Sequence, residues 1–117
     1  MSAAAVAMTG ALVHEYKEFR PLLEEHLDDN EGEVLPHLLL SDVIRFLAAH
    51  YDESPDPCSS VIAWLDREYQ AGEADIRDLI GASGIEMIPS PGQPGAGLRG
   101  LLGPTLRQID PWRQDPP

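Results

Sequence analysis

Carboxylates are concentrated in one short stretch of the chain, residues 23–37, with the sequence LEEHLDDNEGEVLPH. This stretch contains no Lys or Arg, and its acidic residues are Glu24, Glu25, Asp28, Asp29, Glu31 and Glu33. Acidic side chains at this density can bind a cation, act as general acid and base, or engage a basic partner. Their spacing decides among these chemistries.

Calcium binding and acid–base catalysis are not favoured by that spacing. The segment lacks the alternating acids and central Gly of an EF-hand loop. General acid–base catalysis needs one carboxyl group in an apolar pocket that raises its pKa, whereas these acids are strung along a predicted exposed end. We therefore predict no catalytic residue in this segment and interpret the acids as a solvated face.

The histidines are candidate metal ligands by residue type alone, because imidazole is a common ligand of transition metals. They are His14, His26, His37 and His50. No HExxH motif, no His pair at i, i+4 and no repeated Glu-x-x-His pattern accompanies them. We predict a structural or surface role for these residues, and neither a metal nor a cofactor.

Cys58 is the single cysteine of the chain, which excludes an intramolecular disulfide and a multi-cysteine zinc site. The chain thus has no need of an oxidising compartment, and we expect a cytoplasmic protein. Cys58 falls in the first turn of a predicted helix, where the helix dipole is expected to lower the thiol pKa. No Ser, His and Asp arrangement of a nucleophilic enzyme accompanies it, and we favour a small thiol in the core or at its boundary.

A second polar group lies in the most apolar segment of the chain. His37, Ser41 and Arg45 are spaced by four residues and predict a narrow polar edge on a helix, where Asp42 can pair with Arg45. This edge is a candidate partner contact. If the protein were an enzyme, its site would combine His37, Asp42 and Arg45.

Helices are predicted to position these residues, because aromatic content is only 6% and Leu, Ile, Val and Ala supply most of the apolar surface. Residues 34–51 are predicted to form the central apolar helix. The motif IEMIPSPGQPGAG at 85–97 predicts a Pro/Gly loop, and Gly103 with Pro104 divides the following leucine-rich stretch into two short helical pieces. The predicted fold is all-α: one domain over 1–117, a compact bundle of four to six short helices.

Several local features follow from turn and capping residues. Pro21 is expected to break the first helical stretch at Arg20, and DDNEG at 28–32 is expected to end it. Asp56 is expected to cap the next helix, with Pro57 as its first residue. Residues 1–9 and 110–117 are candidate loose ends, except where Trp112 packs, and the alternative that AAAVAMTG extends the first helix stays open.

The net charge of the chain limits the classes of partner that it is expected to bind. It carries 20 acidic residues against 8 Lys and Arg, a net charge of −12, and the acids concentrate in the N-terminal half. Nucleic acid and anionic membranes are therefore not expected as partners, and no apolar run is long enough to span a membrane. We predict that the acidic segment, together with Asp52, Glu53 and Asp56, binds a basic protein. The alternative is a homodimer formed through the apolar face of 34–51 and the C-terminal leucines, including Leu98 and Leu102.

Two segments also carry a resemblance to known proteins. EFRPLLEEHLDDNEGEVLPHLLLSDVIRFL and LRGLLGPTLRQI resemble a group of small, acidic, helical bacterial proteins of unassigned biochemistry, some of which look like immunity proteins for bacterial toxins. The resemblance implies a non-enzymatic binder that blocks a cognate toxin, and it implies no catalytic residue. A toxin nuclease is a fitting target, because the cleft that holds nucleic acid is basic.

Overall fold

Every regular element in the part of the chain described by the computed structural model, residues 2–112, is a helix. The α-helices are α1 (Ala3–Glu15), α2 (Arg20–Asp29), α3 (Pro36–His50), α4 (Pro55–Ala71), α5 (Ala74–Ser83) and α6 (Pro104–Arg107). Short 3₁₀ segments cover Lys17–Phe19, Ile85–Met87 and Ala96–Leu101. The predicted all-α bundle of short helices is confirmed.

Helix α3 lies at the centre of the bundle, where it packs against α1, α2, α4 and α5. Its residues Leu40, Val43, Ile44 and Leu47 follow helical spacing and are buried in the core. Pro36 occupies its first turn, where the missing N–H of proline leaves no hydrogen bond unmade. The predicted central helix near 34–51 is confirmed.

Helix α1 includes the alanine-rich N-terminal segment, which is one of the two alternatives left open by the sequence. Residues 3–9, a candidate loose end, form its first half, and Ala5 and Met8 are buried. The Ser2 hydroxyl accepts a hydrogen bond of 3.2 Å from the Ala5 N–H, so it caps the helix. The correction has a simple physical reason: alanine is the best helix former, and a side chain as small as that of Ala5 packs tightly against the core.

The first helical stretch breaks at Tyr16 and not at Arg20 as predicted. Tyr16 has an extended backbone (φ −118°, ψ 95°), whereas Arg20 is helical (φ −58°, ψ −43°). The intervening 3₁₀ turn places Phe19 in the core, where its ring meets that of Phe46 edge-on at a centroid distance of 5.6 Å. Burial of Phe19 thus fixes the break, and Pro21 sits in the first turn of α2.

The turn between α2 and α3 ends α2 at the predicted place, with Gly32 left-handed as expected but with Glu31 in place of Asn30 as the second left-handed residue. Glu31 and Gly32 adopt left-handed conformations (φ 56° and 81°). The Gly32 N–H donates to the Leu27 carbonyl at 2.7 Å, and the Asn30 side chain donates to the His26 carbonyl at 2.7 Å. These bonds satisfy the last carbonyls of α2, so the helix ends where the sequence predicts.

The second half of the chain, from the start of α4, agrees with the predictions at some points and departs from them at others. Helix α4 begins at Pro55 after Ser54, so Asp56 lies in its first turn and does not cap it. The Pro/Gly loop at 85–97 is confirmed, although Ile85 and Ile88 are buried. The leucine-rich stretch forms two short helical pieces, as expected. Of the tail expected to be loose, Asp110 is buried and Trp112 is 54% exposed, while residues 113–117 lie outside the described residues.

Candidate functional site

The acidic residues predicted to bind a partner are all exposed: Glu24, Glu25, Asp28, Asp29, Glu31, Glu33, Asp52, Glu53 and Asp56. Within residues 2–112, none of them forms an ion pair, because the pairs found there are His37–Asp78, Asp42–Arg45 and Arg99–Asp110. The fold therefore does not neutralise their charge, and the surface retains a negative field.

An open groove between α2 and α3, here the α2–α3 groove, unites part of the acidic segment with part of the predicted polar edge. Its volume is about 580 Å³. It is lined by Leu22, Glu25, His26, Asp29, Asn30, Leu38, Asp42, Arg45, Phe46, Ala49 and His50. Carboxylates from both helices thus share one depression with apolar side chains.

The face that α3 presents to the groove differs from the predicted polar edge. Leu38, Asp42, Arg45 and Ala49 line the groove at successive spacings of four, three and four residues. Ser41 is only 8% exposed, and its hydroxyl donates to the His37 carbonyl at 2.9 Å. The predicted edge of His37, Ser41 and Arg45 is therefore wrong in this respect, because α5 covers the side of α3 that carries Ser41.

The predicted pairing of Asp42 with Arg45 is confirmed. The Arg45 Nη1 donates to the Asp42 carboxylate at 2.6 Å, and both side chains remain partly exposed. Among the described residues that line the groove, Arg45 is the only Lys or Arg. The groove thus contains one Arg, already engaged by Asp42, while Glu25 and Asp29 have no ion-pair partner among residues 2–112.

The remaining predicted acids lie outside the α2–α3 groove. Asp52 lines a neighbouring depression of about 380 Å³ together with Arg45 and Ala49. Glu53 and Asp56 lie around the start of α4, where Asp56 occupies the first turn. The other four, Glu24, Asp28, Glu31 and Glu33, belong to α2 and the turn after it. The acidic surface is therefore broader than the groove.

His26 is a buried member of the groove lining, with only 3% of its surface exposed. Its Nε2 accepts a hydrogen bond of 2.9 Å from the Leu35 N–H, so the proton of the neutral ring lies on Nδ1. That Nδ1 has no hydrogen-bond partner among residues 2–112. His26 therefore has the structural role predicted for the histidines. The unsatisfied Nδ1–H group could not be predicted from the spacing of residues in the sequence.

His37 meets a serine and an aspartate that sequence reasoning did not connect with it. Its Nδ1 lies 2.6 Å from the Ser83 hydroxyl, and its Nε2 lies 3.9 Å from Asp78. Ser83 is buried, so the His37–Ser83 hydrogen bond joins α3 to α5, while the 3.9 Å separation from Asp78 exceeds a hydrogen bond. His37 is not among the residues that line the groove with Asp42 and Arg45.

Cys58 is the core thiol favoured by the sequence, but its pKa shifts in the direction opposite to the one expected. The side chain is 1% exposed, and its Sγ lies 3.5 Å from the Leu47 carbonyl. Burial raises the pKa of the Cys58 thiol above its ordinary value. The predicted lowering of the thiol pKa is therefore wrong, because burial removes the thiolate from water.

The apolar surfaces predicted to form a homodimer are buried in the core of this chain. Leu98 and Leu102 are 0% and 2% exposed, and the apolar face of α3 is buried in the core. Of the described residues, the large apolar side chains that remain exposed are Leu38 and Trp112. A dimer cannot form through the leucines predicted for it without opening the bundle.

The described residues form neither a metal site nor a membrane-spanning helix. Within 2–112, no three His, Cys, Asp or Glu side chains are arranged to hold a metal ion. In the same range, no helix has the length and apolar content needed to cross a bilayer.

Comparison with known proteins identifies a family. Residues 10–114 match the family model described as a domain of unknown function, DUF7674. No curated protein and no solved structure matches the chain significantly.

Proposed function

The chain belongs to the DUF7674 family of domains of unknown function, and we propose that it is a non-enzymatic binding module whose acidic surface engages a basic protein. The observation that carries this proposal is the set of exposed carboxylates at 24–33, 52, 53 and 56, which form no ion pair within residues 2–112. A basic protein would neutralise charges that the fold leaves uncompensated.

Long-range electrostatics favour this class of partner. A net charge of −12 attracts a basic surface and speeds its encounter, while it repels nucleic acid and anionic membranes. Carboxylates on opposed surfaces would repel, so the same charge selects against acidic proteins. Electrostatics therefore supports specificity and association rate before any close contact forms.

An immunity or antitoxin-like inhibitor is the form of binder that we propose. A nuclease toxin holds its substrate in a basic cleft, and a carboxylate-rich surface can occupy that cleft in place of phosphates. The resemblance of residues 18–47 and 98–109 to small acidic immunity-like proteins supports this class. A cytoplasmic location fits an inhibitor that protects the cell in which its toxin is made.

A homo-oligomeric module is the second candidate, and one observation favours it: Leu38 and Trp112 are 44% and 54% exposed. These are the large apolar side chains exposed among residues 2–112, and a second copy of the chain is one way to cover them. Analytical ultracentrifugation separates the two candidates. A monomer at high protein concentration favours the binding module, and a stable dimer favours the homo-oligomer.

The binding proposal is tested by pull-down with the tagged protein from an extract of the cells that encode it, at low and high salt. The variant Glu24→Gln/Glu25→Gln/Asp28→Asn removes three charges from the acidic surface. The matched control Glu15→Gln/Glu73→Gln/Glu86→Gln removes three exposed charges elsewhere.

The expected result is a basic protein retained by the wild type and by the control, but lost from the acidic-surface variant and at high salt. If the retained protein is a nuclease, the wild type is expected to inhibit it. Retention that is unaffected by the acidic-surface variant, or lost equally with both variants, would contradict the proposal.

A further inference from the structure

We infer that the α2–α3 groove receives a short segment of the basic partner, which places an Arg or Lys side chain beside Glu25 and Asp29 and an apolar side chain against Leu38. The inference rests on the proposed function and deepens it, because it names the site and the chemistry of the segment that is bound. It differs from general attraction to an acidic surface, which needs no groove.

The apolar part of the groove points to a protein segment. Leu38 is 44% exposed, although an apolar side chain of its size is usually covered, and Phe46 and Ala49 lie beside it in the lining. A volume of about 580 Å³ is within the range of about 300–1,000 Å³ found for ligand sites. Amphipathic peptide segments bind such grooves through apolar anchors at helical spacing.

The carboxylates of the groove favour a positively charged side chain of the partner. Glu25 and Asp29 are four residues apart on α2, so their carboxylates share one face and repel each other. Arg45 does not relieve this repulsion, because its guanidinium is engaged by Asp42 at 2.6 Å. A guanidinium or ammonium group placed beside both carboxylates of α2 would remove the repulsion and gain two charge-assisted contacts.

His26 supplies a probe of the groove that is independent of the acids. Only 3% of the surface of His26 is exposed, and the residue belongs to the groove lining. Its Nδ1 donor lacks an acceptor among the described residues. Because this nitrogen is covered by protein, a bound segment is expected to change the surroundings of the His26 ring without bonding to Nδ1.

A second copy of this chain is not the occupant that the charges favour. A two-fold dimer places the same patch of each subunit against the other. The groove would then bring Glu25 and Asp29 of one copy against the equivalent carboxylates of the other, while the only Arg of the described lining is already paired. The charges are complementary to a basic segment and not to themselves.

The test uses a fluorescein-labelled amphipathic peptide with Leu and Arg at helical spacing, titrated with the full chain at low salt and followed by fluorescence anisotropy. The groove variant is Glu25→Gln/Asp29→Asn. The matched control is Glu31→Gln/Glu33→Gln, which removes the same charge from acids of the same segment that lie outside the groove. Leu38→Ser tests the apolar contact, and its exposure makes it compatible with folding.

The groove variant and Leu38→Ser are each expected to weaken peptide binding by about tenfold, and the control by less than about threefold. Binding of the peptide is also expected to shift the NMR signals of the His26 ring. A peptide with Glu in place of Arg should not bind.

Equal weakening by the groove variant and the control would overturn the inference and leave the proposed function standing, since attraction would then be diffuse. Absence of peptide binding to the wild type, or an unshifted His26 ring, would also overturn the inference. So would a dimer that is lost in Leu38→Ser, because a second copy would then fill the groove. The pull-down of a full-length basic protein remains a separate measurement of the proposed function.

Discussion

Arg99 and Asp110 form a buried ion pair that ties the Pro/Gly loop to the C-terminal segment. The Arg99 guanidinium donates to the Asp110 carboxylate and also to the carbonyl oxygens of Ile88 and Pro89, at 3.2 and 2.9 Å. The same carboxylate accepts from the Trp112 N–H at 3.0 Å. One arginine thus links three parts of the chain that have no regular hydrogen bonding between them.

Loss of the Asp110 charge is expected to destabilise the fold strongly. Asp110→Asn leaves the buried Arg99 without its counter-charge, and we expect the free energy of unfolding to fall by about 3 kcal/mol. Urea denaturation measures the change. Asp42→Asn is the control, since its ion pair with Arg45 is exposed and should contribute less than about 1 kcal/mol. Equal effects of the two substitutions would contradict the structural role of the buried pair.

A methyl group at Gly95 is expected to disturb the contact between the Pro/Gly loop and α3. Gly95 has φ +86°, and an added Cβ would lie 2.6 Å from the Ala48 Cβ. Gly92 has nearly the same conformation, φ +89°, but open space around it. Gly92→Ala should cost about 1 kcal/mol of stability from the backbone alone, and Gly95→Ala about 2 kcal/mol more from the clash.

Thermal unfolding of the two glycine variants, followed by circular dichroism, tests this difference. The comparison isolates the steric term because the backbone penalty is common to both variants. Melting temperatures that agree within error would show that the loop can move away from α3 at no cost.

Cys58 is expected to be unreactive in the folded protein. Its burial raises the thiol pKa, so few thiolate groups exist near neutral pH and reagents cannot reach them. Labelling with a thiol-specific chromogenic reagent should be slow in native buffer and fast in concentrated urea. Rapid labelling of the native protein would contradict the buried placement.

The raised pKa of Cys58 also gives a pH dependence with a definite sign. Below the ordinary thiol pKa, both folded and unfolded chains carry the neutral thiol. As the pH rises above that value, the unfolded chain loses its proton first, so the free energy of unfolding falls until the folded thiol also ionises. Unfolding measured at several alkaline pH values should show a steeper fall for the wild type than for Cys58→Ala.

The contact between His37 and Ser83 is expected to contribute to stability and not to catalysis. Ser83→Ala removes the hydroxyl partner of the His37 ring at 2.6 Å and should lower the free energy of unfolding by about 1 kcal/mol. Ser60→Ala is the control, because the hydrogen bond of Ser60 to the Tyr16 hydroxyl is exposed. A smaller effect for Ser83→Ala than for Ser60→Ala would argue against this contact.

Helical periodicity predicted most of the fold. Helix α3 was recognisable because its apolar residues repeat at helical spacing, and the end of α2 because Asn30 and Gly32 favour left-handed backbone. The start of α1 was left open since its alanines provide no contrast between apolar and polar faces. The break at Tyr16 was misplaced because it depends on the burial of Phe19 against Phe46, a tertiary contact.

The candidate site was predicted only in its charge. The exposed acids follow from residue type, but the α2–α3 groove requires the packing of two helices, and the loss of Ser41 from the polar edge requires the position of α5. The pKa shift of Cys58 was misjudged for the same reason, as its neighbour Leu47 is eleven residues away on another helix. Contacts between elements distant in sequence leave no local pattern to read.

The uncompensated carboxylates described above make ionic strength act on this protein in two opposite directions. Added salt screens their mutual repulsion, so the free protein should melt at a higher temperature in salt. The same screening weakens attraction to a cationic partner. Buffers of high ionic strength are therefore expected to stabilise the purified protein but to weaken its binding to a partner. A search for partners should use a buffer of low ionic strength.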